Sequence, residues 1–179
     1  MEPPSLADWR GRLQIAGWLL AIALVGAPLA IGAQHTLALV VLAGVVSVAC
    51  VLAHVGAPPR APRLAARALV AVSLFLTIYT GLQAVPLPID VVRVLSPETA
   101  DVWTHALSPL HEPGPSWVTL SLDPIATRVE LLRGLVYLGV LRTALRIAHS
   151  REGAVFLERA LVVAGLVMAL VALAHPALG

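Results

Sequence analysis

The sequence has no lysine, no asparagine and a single cysteine, and charged residues fill only 12% of its 179 positions. Each scarcity excludes something. With one thiol, Cys50, the chain can form neither an internal disulfide nor a cysteine-based zinc site. Lying inside an apolar run, Cys50 reads as a small packing residue. Lysine and asparagine share A-rich codons, so a GC-rich genome depletes both together. The all-arginine set of twelve basic residues therefore assigns no phosphate chemistry by itself. A net charge of +2 implies no nucleic-acid partner. What is abundant is apolar: 59% hydrophobic residues and a mean hydropathy of +0.89. So little polar surface cannot keep a soluble domain dissolved. The composition is that of an integral membrane protein.

Apolar runs of spanning length divide the chain. We expect an all-α, polytopic fold with about five transmembrane helices in a single membrane domain, residues 1–179. The spans fall near residues 15–33, 36–55, 68–85, 125–148 and 160–175. The first resembles a signal peptide in having Arg10 and Arg12 before an apolar core, but a second apolar run begins at Thr36, which favours a retained span. A tight turn at residues 32–35 makes spans one and two a hairpin. Gly44 in span two is small enough to admit a neighbouring helix. Residues 56–67 hold Pro58, Pro59 and Pro62 with Arg60, Arg63 and Arg67, a helix-breaking basic loop. Residues 150–159 form a second charged turn.

Orientation follows from the arginines. With the N-terminus in the cytoplasm, Arg10, Arg12, Arg60, Arg63, Arg67, Arg142, Arg146, Arg151 and Arg159 lie inside. Only Arg93, Arg128 and Arg133 lie outside, the bias the positive-inside rule requires. The C-terminus then ends outside.

Residues 86–124 form an outer loop carrying Asp90, Glu98, Asp101, Glu112 and Asp123 against Arg93. Ser96-Pro97-Glu98 is a helix start. The short amphipathic helix it opens, to about Leu107, places Val102, Trp103, Ala106 and Leu107 on one side, suited to lying on the outer leaflet with Trp103 at headgroup depth. Asp123-Pro124 caps span four in the same way. His111 to Pro115 is turn material. A zinc site can be drawn from Asp101, His105, His111 and Glu112, but the spacing is loose and a solvated helix face explains it; no metal site and no cofactor are expected. No nucleophile elbow, phosphate loop or catalytic carboxylate pair is visible, and no catalytic residue is assigned.

Span four carries Arg128, Glu130 and Arg133 near its outer end. Glu130 and Arg133 are three residues apart and can pair on one face. Alternatively, Arg128 and Arg133 offer guanidinium groups to a lipid phosphate or pyrophosphate.

Three short motifs occur in order at membrane boundaries: Gly81-Leu82-Gln83-Ala84-Val85-Pro86-Leu87-Pro88, Leu95-Ser96-Pro97, and Leu120-Ser121-Leu122-Asp123-Pro124 with Thr127. Over residues 77–151 the chain resembles the O-antigen ligase and O-antigen polymerase family. The resemblance implies a bacterial inner-membrane protein that handles polyprenyl-pyrophosphate-linked glycans on the periplasmic side, where cations stabilise the departing pyrophosphate. Family members are about twice as long and carry their catalytic Arg and His residues in a later loop, so none is carried over to this chain. The chain would then be the N-terminal part of such an enzyme, inactive alone and completed by a second chain. The alternative is a small non-catalytic membrane protein of a polysaccharide assembly or export complex. A channel subunit is disfavoured, because spans one, two, three and five lack mid-membrane ionisable groups.

Overall fold

The computed structural model describes residues 6–29, 36–55, 64–106 and 114–178. The turn at 32–35, the loop at 56–63 and the turn residues His111, Glu112 and Pro113 lie outside these. The order of elements is α1 (Leu6–Leu29), α2 (Thr36–His54), α3 (Leu64–Gln83), β1 (Leu87–Pro88), α4 (Ile89–Leu95), α5 (Pro97–Ala106), β2 (Trp117–Val118), α6 (Pro124–Ile147) and α7 (Arg151–Leu178). Apart from the two-residue strands, the regular structure is all helical.

Among the described residues, four helices contain stretches long and apolar enough to cross a membrane: Arg10–Pro28, Thr36–His54, Leu64–Gln83 and Arg151–Ala174. These are the proportions of a membrane protein. α6 has the length but not the apolarity, because Arg128, Glu130, Arg133 and Arg142 interrupt it. Three helices begin earlier than the hydropathy suggests, α1 among them, which starts at Leu6 rather than near residue 15 and so takes in Arg10 and Arg12. α3 starts at Leu64, which places Arg67 within the helix. The charged turn expected at 150–159 is helical instead. Ser150 starts α7: its hydroxyl accepts the Gly153 N–H at 3.0 Å and its carbonyl accepts the Ala154 N–H at 3.0 Å. An N-cap serine with Glu152 in the first turn is a helix start hidden in polar sequence.

The chain forms two compact units, residues 1–73 with 135–179, and residues 74–134. In the first unit α1 packs against both α2 and α7. The α1–α2 contact is built from small side chains: Ala16, Ala49 and Ala53 are fully buried, with Leu13, Leu19 and Leu52 around them. Alanine at the seam lets two backbones approach closely without a large side chain between them. Against α7, the ring of Phe156 lies over Gly17 and meets Trp18 edge to face, with centroids 5.2 Å apart and planes at 78°. That is the favoured geometry for two aromatic quadrupoles. Gly139 of α6 faces Val46 of α2; a methyl group there would reach within 2.8 Å of Val46 Cγ1. A methyl group at Gly44, the expected contact glycine, would meet nothing within 4 Å outside its own helical turn among the described residues. The Thr143 hydroxyl is buried and has no hydrogen-bond partner among the described residues.

The second unit is the loop and its two flanking helix ends. β1 and β2 pair antiparallel, Leu87 opposite Val118 and Pro88 opposite Trp117, and the Ile89 N–H reaches Ser116 O at 3.0 Å. Proline lacks the N–H a central strand needs, so Pro88 suits this two-residue ladder at its edge. Val92, Ala100 and Val118 form the buried core, with Leu87, Ile89, Trp103 and Leu120 packed around them. α4 is absent from the expected layout, since seven residues between prolines carry too short a period to read. α5 is present, but its inward side differs from the expectation. Ala100 is buried and Trp103 half-buried, while Val102 and Ala106 are exposed. The Trp103 indole N–H donates to Thr119 O at 3.1 Å, which draws that side toward α4 and β2.

Candidate functional site

Of the charged residues singled out from sequence, Arg128 and Arg133 sit in the first three turns of α6, and the turn before them is tightly built. Its order starts from single hydroxyl protons. Thr127 Oγ1 donates to Asp123 O at 2.9 Å, so the Ser121 hydroxyl, 2.6 Å from Thr127 Oγ1, is the donor in that pair. Ser121 Oγ in turn accepts the Asp123 N–H at 3.1 Å. The Asp123 carboxylate caps the helix by accepting the Ala126 N–H at 2.9 Å. Pro124 follows at the first helical position, where its missing N–H costs nothing. The Ser121 N–H donates to Gln83 O at 3.0 Å, tying this turn to the end of α3. Thr119, buried, donates its hydroxyl to Ser121 O. Each polar group of the Ser121–Asp123–Thr127 set thus has a defined local role.

The same reading extends to the other two motifs. Gly81 lies against Leu131, and Gly134 lies so near Thr77 that a methyl group there would come within 3.0 Å of Thr77 Oγ1. Leu87 and Pro88 are β1, and Ser96 joins α4 to α5, its N–H on Val92 O at 2.7 Å and its hydroxyl 2.8 Å from that of Thr99. All three motifs therefore fall within the second unit.

The arginines of this unit are mostly paired. Arg93 pairs with Asp90 at 2.8 Å, and His105 Nδ1 lies 3.0 Å from Asp101 Oδ1. Arg133 is ion-paired with Glu130, as their spacing suggested. Arg128 is exposed and has no carboxylate partner among the described residues. At 100° per residue, positions 128 and 133 fall about 140° apart around the α6 axis, so the fold does not bring the two arginines onto one face. Among the described residues no three His, Cys, Asp or Glu side chains converge as metal ligands, and His111 and Glu112 lie outside them. On the other unit, Cys50 Sγ is 3.8 Å from His54 Nδ1, which also bonds Cys50 O at 2.8 Å, a local turn-to-turn contact in α2.

The chemistry on offer at the start of α6 is anion binding. An exposed guanidinium one turn inside a helix N-terminus adds its charge to the positive end of the helix dipole. Sequence reasoning found Arg128, Arg133 and the Asp123 cap, but not Gln83, Thr119 or the hydroxyl order that fixes the turn. A backbone carbonyl leaves no mark in the sequence. Comparison with known proteins returns no matching family model, no similar curated protein and no similar solved structure.

Proposed function

We propose that this chain is a multi-span protein of a bacterial inner membrane whose second unit faces the periplasm and binds the phosphate end of a polyprenyl-pyrophosphate-linked glycan. In this reading α6 is a fifth span. At 1.5 Å per residue its 24 residues extend about 36 Å, enough to cross the hydrocarbon core. Residues 134–141 are uncharged; Arg128 and Arg146 lie near the two ends, where arginines can snorkel to the interface, and Arg133, nearer the middle, is ion-paired with Glu130. The N-terminus is then cytoplasmic and the C-terminus periplasmic. The chain handles its lipid-linked ligand without any residue here being given a catalytic part, and a second chain supplies the chemistry.

One observation carries the reading. Arg128 is the arginine of the second unit without a carboxylate partner among the described residues, and it projects from a rigidly capped turn formed by Ser121, Asp123 and Thr127. The resemblance of that same turn to the O-antigen ligase and polymerase family adds the substrate class. The test is binding of a polyprenyl pyrophosphate to the full chain in lipid nanodiscs, with the polyprenyl alcohol as the uncharged control. Arg128→Gln should weaken pyrophosphate binding by about tenfold, the loss of one charge-assisted bond. Equal binding of the alcohol and the pyrophosphate, or no change in the variant, would overturn the proposal.

A further inference from the structure

α4 is apolar on two opposite sides. Val92 belongs to the buried core of the second unit, and half-buried Ile89 packs against it. Val91, Val94 and Leu95, spaced three and four apart, share the other side and are 42%, 83% and 61% exposed. The two charged residues of the helix, Asp90 and Arg93, close on each other at 2.8 Å, so α4 brings no unbalanced charge to that outward face. A face of valine and leucine this open is a cost in water and a gain against hydrocarbon.

Chain connectivity says which solvent covers it. α3, apolar enough to span, ends at Gln83, and α4 begins at Ile89. The five intervening residues reach at most about 18 Å when extended. They are shorter than that here, because the Ala84 and Val85 N–H groups fold back onto Gly81 O and Leu82 O. Exposed apolar residues continue on both sides of α4 along the chain, Leu82 and Val85 before it and Leu122 and Ile125 after it at the mouth of α6. α4 is therefore held close to the end of α3, among exposed apolar residues that precede and follow it.

We propose that α4 is an interfacial anchor, its Val91, Val94 and Leu95 face seated in the headgroup–acyl boundary of the leaflet from which α3 emerges. The sequence pointed to α5 and Trp103 for this part, but Trp103 is held by Thr119 O and its neighbour Ala100 is buried. The anchor rests on membrane insertion of α3 and is independent of what the second unit binds.

The test places a nitroxide at Val94→Cys or Leu95→Cys in the full chain carrying Cys50→Ala, reconstituted in phospholipid vesicles, with Glu98→Cys as the aqueous reference. Collision with oxygen, which partitions into lipid, should exceed collision with a water-soluble nickel complex several-fold at positions 94 and 95, and the ratio should invert at 98. Nickel collision at 94 and 95 equal to that at 98 would overturn the anchor. So would spin–spin broadening relieved by unlabelled protein, which means that a second copy covers the face. Protection from both reagents without broadening would overturn it as well, since the face is then covered by protein. None of these outcomes depends on pyrophosphate binding, so the anchor and the proposed ligand fail separately.

Discussion

The carboxylate of Asp123 receives the Ala126 N–H at 2.9 Å, capping the first turn of α6 beside the Ser121–Thr127 hydroxyl bond. Removing the acceptor leaves a helix N–H without a partner. Asp123→Ala should lower stability by about 1 kcal/mol, and Asp123→Asn by much less, because asparagine caps nearly as well. Chemical denaturation of the reconstituted protein reads the difference, and equal losses for the two would refute the cap.

The core of the second unit is small, so single atoms count. Val92→Ala removes two buried methylenes' worth of contact and should cost about 2 kcal/mol. Trp103→Phe keeps an aromatic ring but loses the indole N–H to Thr119 O and part of the packing, a loss of at least about 1 kcal/mol. Both are checked by the thermal transition followed in near-ultraviolet circular dichroism. A Trp103→Phe variant as stable as the parent would mean that water replaces the indole.

Two glycines should respond with opposite signs. Gly139→Ala drives a methyl group onto Val46, and overpacking of this kind costs about 1–3 kcal/mol. Gly44→Ala meets open space and should stabilise α2 by about 0.5–1 kcal/mol through helix propensity. Thr143→Val belongs beside them: it removes a buried hydroxyl with no partner among the described residues and should be neutral or stabilising.

The Glu130–Arg133 pair predicts a rescue. Arg133→Glu places two acids on one face and should lower stability through like-charge repulsion. Adding Glu130→Arg restores the pair and the stability. If Arg133 holds the pair rather than a ligand, the exchanged protein binds a polyprenyl pyrophosphate as the parent does, and a lost affinity in the exchanged protein would return Arg133 to the binding site.

Reporter fusions test the orientation. A fusion within residues 56–67 should report the cytoplasm, and one near His111 the opposite side of the membrane. The reverse pattern would place the second unit away from periplasmic glycans.

Much of this architecture was legible because long apolar helices are written in composition. Thr36–His54 matches its hydropathy almost to the residue. The helix starts at Pro97 and Pro124 were legible too, since serine or aspartate before proline has a backbone reason to begin a helix. Other features were hidden for definite reasons. α4 is too short to show a period, and two-residue strands have no alternation to detect. The start of α7 lies among charges because its first turns are anchored by one aromatic, Phe156, rather than by an apolar run. Gly44 and Gly139 are alike in sequence, and only the path of the neighbouring helix separates them. Arg128 and Arg133 were named together as phosphate ligands, yet Glu130 claims one of them and five residues of helical rotation part them.

The pairing of Leu87 with Val118 makes the chain depart from the end of α3 and come back at nearly one point, with Ser121 then fastened to Gln83. α4 and α5 hang from that clasp as a cassette. Lengthening or shortening the stretch between α5 and β2 should leave the end of α3 as near the start of α6 as before, so this part of the protein can vary in size without disturbing the clasp.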